Sequence, residues 1–131
     1  MEKVKSHIGK ENYKVIIESQ SGNILIADEP VENGGKNLGL SPFELIAAAL
    51  SACTSITVRM YADRKDWSLT DVNTDISVNW DKANNKTIIQ RKIKFSGNLS
   101  DEQKNRLLQI ANVCPVHKVL TNSILINTEI F

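Results

Sequence analysis

Aromatic side chains make up only 5% of this 131-residue chain, and its formal net charge is +1. Together these shortages exclude a nucleic-acid partner, because no basic patch with interleaved aromatics is available. No signal peptide is expected either, since Met1–Lys10 is polar and charged where such a peptide would be apolar. The longest apolar stretch is broken by Glu44 and Arg59 and reads as too short for a bilayer, so no membrane partner is expected. Nothing marks a nicotinamide, flavin or haem site, and no bound cofactor is expected. Gly34-Gly35-Lys36 lacks the Walker spacing and the Ser or Thr that would follow lysine in a phosphate loop. Repeats, low-complexity tracts and linkers are also absent. The chain therefore reads as one cytoplasmic domain over residues 1–131, 41% hydrophobic and 24% charged, with length enough for a real core. Cysteines number only two, Cys53 and Cys114. In the cytosol such a pair is catalytic, metal-binding or inert sooner than a permanent staple.

What is present is organised around Ser41–Lys65. Ser41-Pro42-Phe43-Glu44 combines an N-cap serine, a proline at the first helical position and a glutamate that completes a capping box. From Phe43 to Ile56 nearly every side chain is apolar or small, which predicts a central helix buried on all sides. Cys53 lies near its middle, with Ile46, Ala49, Leu50, Thr57 and Met60 on its face. Arg59, Arg64 and Lys65 gather toward the end, where positive charge suits the helix dipole.

Strands flank this helix. Tyr13, Val15 and Ile17 alternate with Lys14, Ile16 and Glu18, and Ser21-Gly22-Asn23 turns the chain into a second strand at Ile24–Ile26. Asp28–Leu40 is a thirteen-residue loop rich in Gly, Pro and Asn, long enough to suggest a functional role. Past the helix, Val72–Trp80 and Thr87–Phe95 alternate as a hairpin, with Ile89, Ile93 and Phe95 inward. Ser100–Gln103 opens another helix with a second capping box, and Cys114-Pro115 starts a shorter one. Ile124, Ile126, Thr128 and Ile130 predict a last strand. The fold class is α+β with an antiparallel sheet.

Chemistry narrows to a few residues. Cys114 stands where a helix begins, among unpaired N–H groups that favour an anion. Cys53, in mid-helix among apolar neighbours, needs a cation or a hydrogen bond from another segment if it is to react. Either thiol could equally be a small buried hydrophobe. Glu44 serves the capping box and could also orient a cation beside the thiol. Cys114 and His117 make a C-x-x-H pair, but no second ligand pair accompanies it, so no metal is assigned.

The runs GGKNLGLSPFELIAAALSAC, TSITVRMYADRK and ANVCPVHKVL resemble the OsmC/Ohr family, the osmotically inducible and organic hydroperoxide resistance proteins. The resemblance implies an intertwined homodimer in which long cysteine helices pack between antiparallel sheets. It implies that Cys53 is a peroxidatic nucleophile attacking a small-molecule hydroperoxide, that Cys114 resolves its sulfenic acid as a disulfide, and that an external dithiol reduces the product. Such a bond needs the two Cα atoms within about 7 Å. Family peroxidases also carry an arginine before the cysteine helix, whereas no arginine here precedes Arg59. Lys36, the loop's only cation, is the candidate to replace it, oriented by Glu44 or by the partner subunit. The alternative is a protein of the same fold that senses redox state or binds a small molecule with little turnover.

Overall fold

In the computed structural model, which describes residues 1–131, the chain opens as an antiparallel meander. β1 (Val4–His7), β2 (Val15–Ser19) and β3 (Ile24–Ala27) form a three-stranded sheet in that order. The β2–β3 hairpin lies where the alternation predicts it, with Ile17 opposite Leu25. Val4–His7, to which the sequence pattern assigns no strand, pairs with β2 from Val4–Ser19 to His7–Ile16. All four of its residues are exposed, so only main-chain pairing marks it as a strand.

After β3 the chain enters the long loop, and a buried carboxylate gathers it. Asp28 is only 2% exposed. Its Oδ1 accepts the backbone N–H groups of Tyr13 (3.1 Å) and Glu29 (2.7 Å), and its Oδ2 those of Lys36 (3.2 Å) and Leu38 (3.1 Å). Burial is the largest single influence and pushes the carboxyl pKa up. The amide hydrogen bonds together outweigh it and hold the group below its ordinary value. Gly35 lets the loop close on this hub, because a Cβ there would collide with the Glu29 carbonyl and the Asp28 side chain. These elements belong to the first of two compact units, Met1–Ile46 and Ala47–Phe131.

The helix α1 (Pro42–Arg64) begins in the first unit and continues into the second. Its start is the expected capping box: Ser41 N–H donates to Glu44 Oε1 (3.0 Å) and Glu44 N–H donates to Ser41 Oγ (3.3 Å). All-round burial does not occur within the chain. The buried residues are Leu50, Thr54, Val58 and Ala62, one stripe at i, i+4 spacing, while Ile56 and Met60 are about as exposed as surface residues, at 58% and 60%. A second expectation is corrected by length. With 23 residues and a mean hydropathy of 1.4 over its 18-residue window, α1 could cross a membrane by length and composition alone. That mean is reached with Arg59 inside the window, because the aliphatic side chains around it outweigh one charge.

In the second unit, β4 (Ser68–Asp81) and β5 (Lys86–Asn98) form a long antiparallel hairpin. Its core joins Val58 and Ala62 of α1 to Leu69, and to Leu107 and Ala111 of α2 (Asp101–Ala111), with Val72, Ile93 and Phe95 packed alongside. Ser100 and Gln103 cap α2 reciprocally. The short helix α3 (Pro115–Thr121) follows, with Cys114 as its N-cap. The strand expected over Ile124–Ile130 does not form, and its isoleucines stand exposed. Alternation fits a segment to a sheet edge, but in the single chain this segment pairs with none of the five strands.

Replacing Asp28 by alanine leaves four backbone donors without their acceptor. We expect a lower thermal midpoint and faster amide exchange at Lys36 and Leu38. Because the folded pKa lies below the unfolded one, the carboxylate's contribution is complete above the unfolded value and is lost as pH falls through the folded one. The acid limb of the wild-type stability curve should therefore flatten in Asp28→Ala. Exchange rates unchanged at both amides would refute this account of the loop.

Candidate active site

Cys53 is half-buried on α1 and Cys114 is fully buried; both are free thiols. Cys53 receives from another segment the hydrogen bond that its own helix could not supply: the N–H of Val116 donates to its Sγ at 3.4 Å. The next amide, that of His117, donates to Sγ of Cys114 at 3.4 Å. Consecutive amides in the first turn of α3 thus serve one sulfur each. Pro115 sits ahead of them at the first helical position, where its missing N–H costs nothing. Thr57, one turn along α1, places its hydroxyl 3.9 Å from the Cys53 sulfur. An N–H donor is worth more to a sulfur that carries charge than to a neutral one.

Beside this turn lies a guanidinium that the sequence reading misses. Arg91 is on β5, across from Ile76, and follows the same alternation as the inward residues Ile89, Ile93 and Phe95. Its Nη1 donates to Thr54 Oγ1 (3.0 Å), and its Nη2 donates to Asn112 Oδ1 (2.7 Å) and faces His117 Nδ1 (3.1 Å). The hydroxyl of Thr54, fully buried, in turn donates a hydrogen bond to the Leu50 carbonyl at 2.6 Å. A charge in the apolar register of a strand was the available signal, since such a residue must find acceptors inside.

Arginine has no acceptor, so His117 Nδ1 must accept, and the ring is neutral with its proton on Nε2. Burial, and after it the charge of Arg91, hold the His117 pKa below the ordinary imidazole value.

The remaining residues singled out from sequence are held as follows. Glu44 is engaged with Ser41 in the capping box, whose hydrogen bonds keep its carboxyl pKa below the usual range. Lys36 pairs with Glu11 at 3.2 Å, both side chains largely exposed. Arg59 pairs along the helix with Asp63, also at 3.2 Å. No group of three or more His, Cys, Asp or Glu side chains is placed to hold a metal ion.

Antiparallel sheets with a long thiol-bearing helix, and a second thiol capping a shorter helix, define an α+β protein of a recognisable kind. The family model described as OsmC-like protein matches residues 34–129, and the chain belongs to that family. Comparison with curated protein sequences returns no match. Among solved structures, one from Psychrobacter arcticus, described as an osmotic stress induced and detoxification response protein, is similar with a TM-score of 0.79 at 23% identity. That likeness covers 91% of this chain and 88% of the other. The organic hydroperoxide resistance protein OsmC of Legionella pneumophila is 26% identical, with a TM-score of 0.67 over 92% of this chain and 89% of its own. OhrB, the organic hydroperoxide resistance protein of Bacillus subtilis, is 20% identical, with a TM-score of 0.63 over 92% and 90%.

Titration of His117 by NMR tests the electrostatics of the site. Its midpoint should lie below the free value of about 6.5 and should rise when Arg91 is replaced by glutamine. Since the folded pKa is the lower one, the stability tied to neutral His117 is complete above the unfolded pKa and is lost as pH falls through the folded pKa. A midpoint at or above the free value would contradict the donor and acceptor roles assigned here.

Proposed function

We propose that this protein reduces organic hydroperoxides through its two thiols. The observation that carries the reading is the shared turn of α3, whose successive N–H groups reach Cys53 and Cys114. The hydroperoxide resistance proteins among the similar structures support it. In the first step the Cys53 thiolate attacks the outer peroxide oxygen. The O–O bond breaks, Cys53 becomes a sulfenic acid, and the alkoxide leaves with a proton as the alcohol. Cys114 then attacks the sulfenic sulfur, and water departs as the disulfide forms. An external dithiol restores both thiols by exchange and is itself oxidised. The setting is a cytoplasmic stress response.

The working form in this reading is a homodimer. Ile56 and Met60 on α1 and Ile124, Leu125 and Ile126 near the C-terminus leave extensive apolar surface on a single chain. A second copy is the occupant proposed for it, and a stable interface of this kind buries about 1,200–2,000 Å². Light scattering at micromolar concentration should report a dimer, and a stable monomer there rejects it.

Redox sensing or small-molecule binding without turnover is the second reading. It is favoured by the absence of arginine from the loop before α1 and by the pairing of that loop's lysine, Lys36, with Glu11. Steady-state consumption of an organic hydroperoxide with a dithiol reductant separates the two. We expect turnover in the wild type and none in Cys53→Ser. Mass spectrometry after limited peroxide should show loss of two hydrogens from the wild type, whereas Cys114→Ser should accumulate sulfenic acid and over-oxidise. Oxidation of Cys53 without turnover would establish the sensing reading instead.

A further inference from the structure

We infer that Arg91 is the positioning residue for disulfide formation, clamping the turn that carries Cys114 against the part of α1 that carries Cys53. The inference rests on the dithiol reading above and adds to it a residue that acts on the second chemical step. Each acceptor of the guanidinium flanks a thiol: Thr54 adjoins Cys53, Asn112 precedes Cys114 by two residues, and His117 follows it by three. One side chain from β5 thereby joins α1, the end of α2 and α3. No carboxylate pairs with it, so its attachments are all to neutral groups of these segments. A planar fork can reach several acceptors in fixed directions, which a lysine ammonium on the same strand cannot reproduce.

Condensation asks for such a clamp. Cys114 Sγ must leave the His117 N–H that it caps and form a bond to the Cys53 sulfur, while the S–O bond of the sulfenic acid breaks and its hydroxide takes the thiol proton as water. The sulfenic acid meanwhile stands exposed to a second peroxide, which would carry it to sulfinic acid. Which outcome wins depends on how closely the turn holds Cys114 over Cys53, a matter of effective concentration. Arg91 fixes that turn through the His117 ring and the Asn112 side chain without being bonded to either sulfur. Cys53 keeps its own place on α1 while Cys114 is placed by the turn alone, so removal of Arg91 should slow the second step more than the first.

The experiment follows both steps in one turnover with an organic hydroperoxide. Peroxide loss and disulfide formation are timed separately, and over-oxidised Cys53 is measured by mass spectrometry as the peroxide dose rises. In Arg91→Ala and Arg91→Lys, we expect sulfenic acid formation to slow far less than disulfide formation. Disulfide formation should slow on the order of 10- to 100-fold, with a matching rise in sulfinic acid. Lysine should fail as alanine does, because the fork and not the charge is needed. Asn112→Ala, at an exposed position, and His117→Ala carry the test if the Arg91 variants fold poorly. His117→Asn, which keeps an acceptor on the ring's near side, should resolve faster than His117→Ala. Should Arg91→Ala and His117→Ala form disulfide at the wild-type rate, or should Arg91→Ala slow both steps equally, the positioning role is overturned while the dithiol reading stands. A wild type that forms no Cys53–Cys114 disulfide under peroxide overturns both.

Discussion

A long helix with no polar face has to be covered, and the second unit is arranged to meet that constraint. Along α1 the stripe Leu50, Thr54, Val58 and Ala62 is sealed by the β4–β5 hairpin and α2, around a core that reaches Leu107 and Ala111. Small side chains serve this packing: Ala62 of α1 and Ala111 of α2 are both fully buried in that core. Polar atoms on the same helix are tied in turn, Ser51 to Thr74 at 2.6 Å and Thr54 to Arg91 at 3.0 Å. A thiol placed on such a helix is given a particular neighbourhood by whatever covers it. For Cys53 that cover includes the start of α3, which brings an N–H donor with it.

Signals confined to a few adjacent residues were legible in the sequence. Both capping boxes, the proline after Cys114, the β2–β3 hairpin and the β4–β5 hairpin follow from local chemistry and stand where expected. What depended on a distant partner was not. Strand β1 has no buried face to announce it, and the alternation at Ile124–Ile130 describes a segment suited to a sheet without supplying the sheet. Uniform apolarity in α1 showed that cover is needed but could not say how much of it one chain provides. Arg91 was visible in principle, as a charge in the register of Ile89 and Ile93. Its acceptors come from three segments separated by up to 63 residues of sequence, from Thr54 to His117, and no spacing rule links them.

At the thiols, distance in sequence is bridged by main chain more than by side chain. Cys114 caps α3, and the amide beyond Pro115 turns to Cys53, so a single turn couples two sulfurs that lie 61 positions apart. The neutral imidazole of His117 belongs to the same turn and is held neutral by burial and by the cation facing it. Backbone donors are always present and cannot be titrated away, which makes this coupling insensitive to much of the surrounding side-chain chemistry.

The loop gathered by Asp28 has a similar character. Its carboxylate grips amides, not side chains, at Tyr13, Glu29, Lys36 and Leu38. Any residue other than proline presents an amide, so the segment can drift in composition at most of these positions without changing its path. Its length is another matter. The amides of Lys36 and Leu38 reach the same oxygen because they are two residues apart, and deleting or inserting one residue between them would leave one amide without that oxygen. Apart from its tightly packed glycines at 35 and 39, this loop is thus permissive to substitution at the gripped positions and closed to insertion or deletion between them, so a designer could repaint those side chains but could not shorten that stretch.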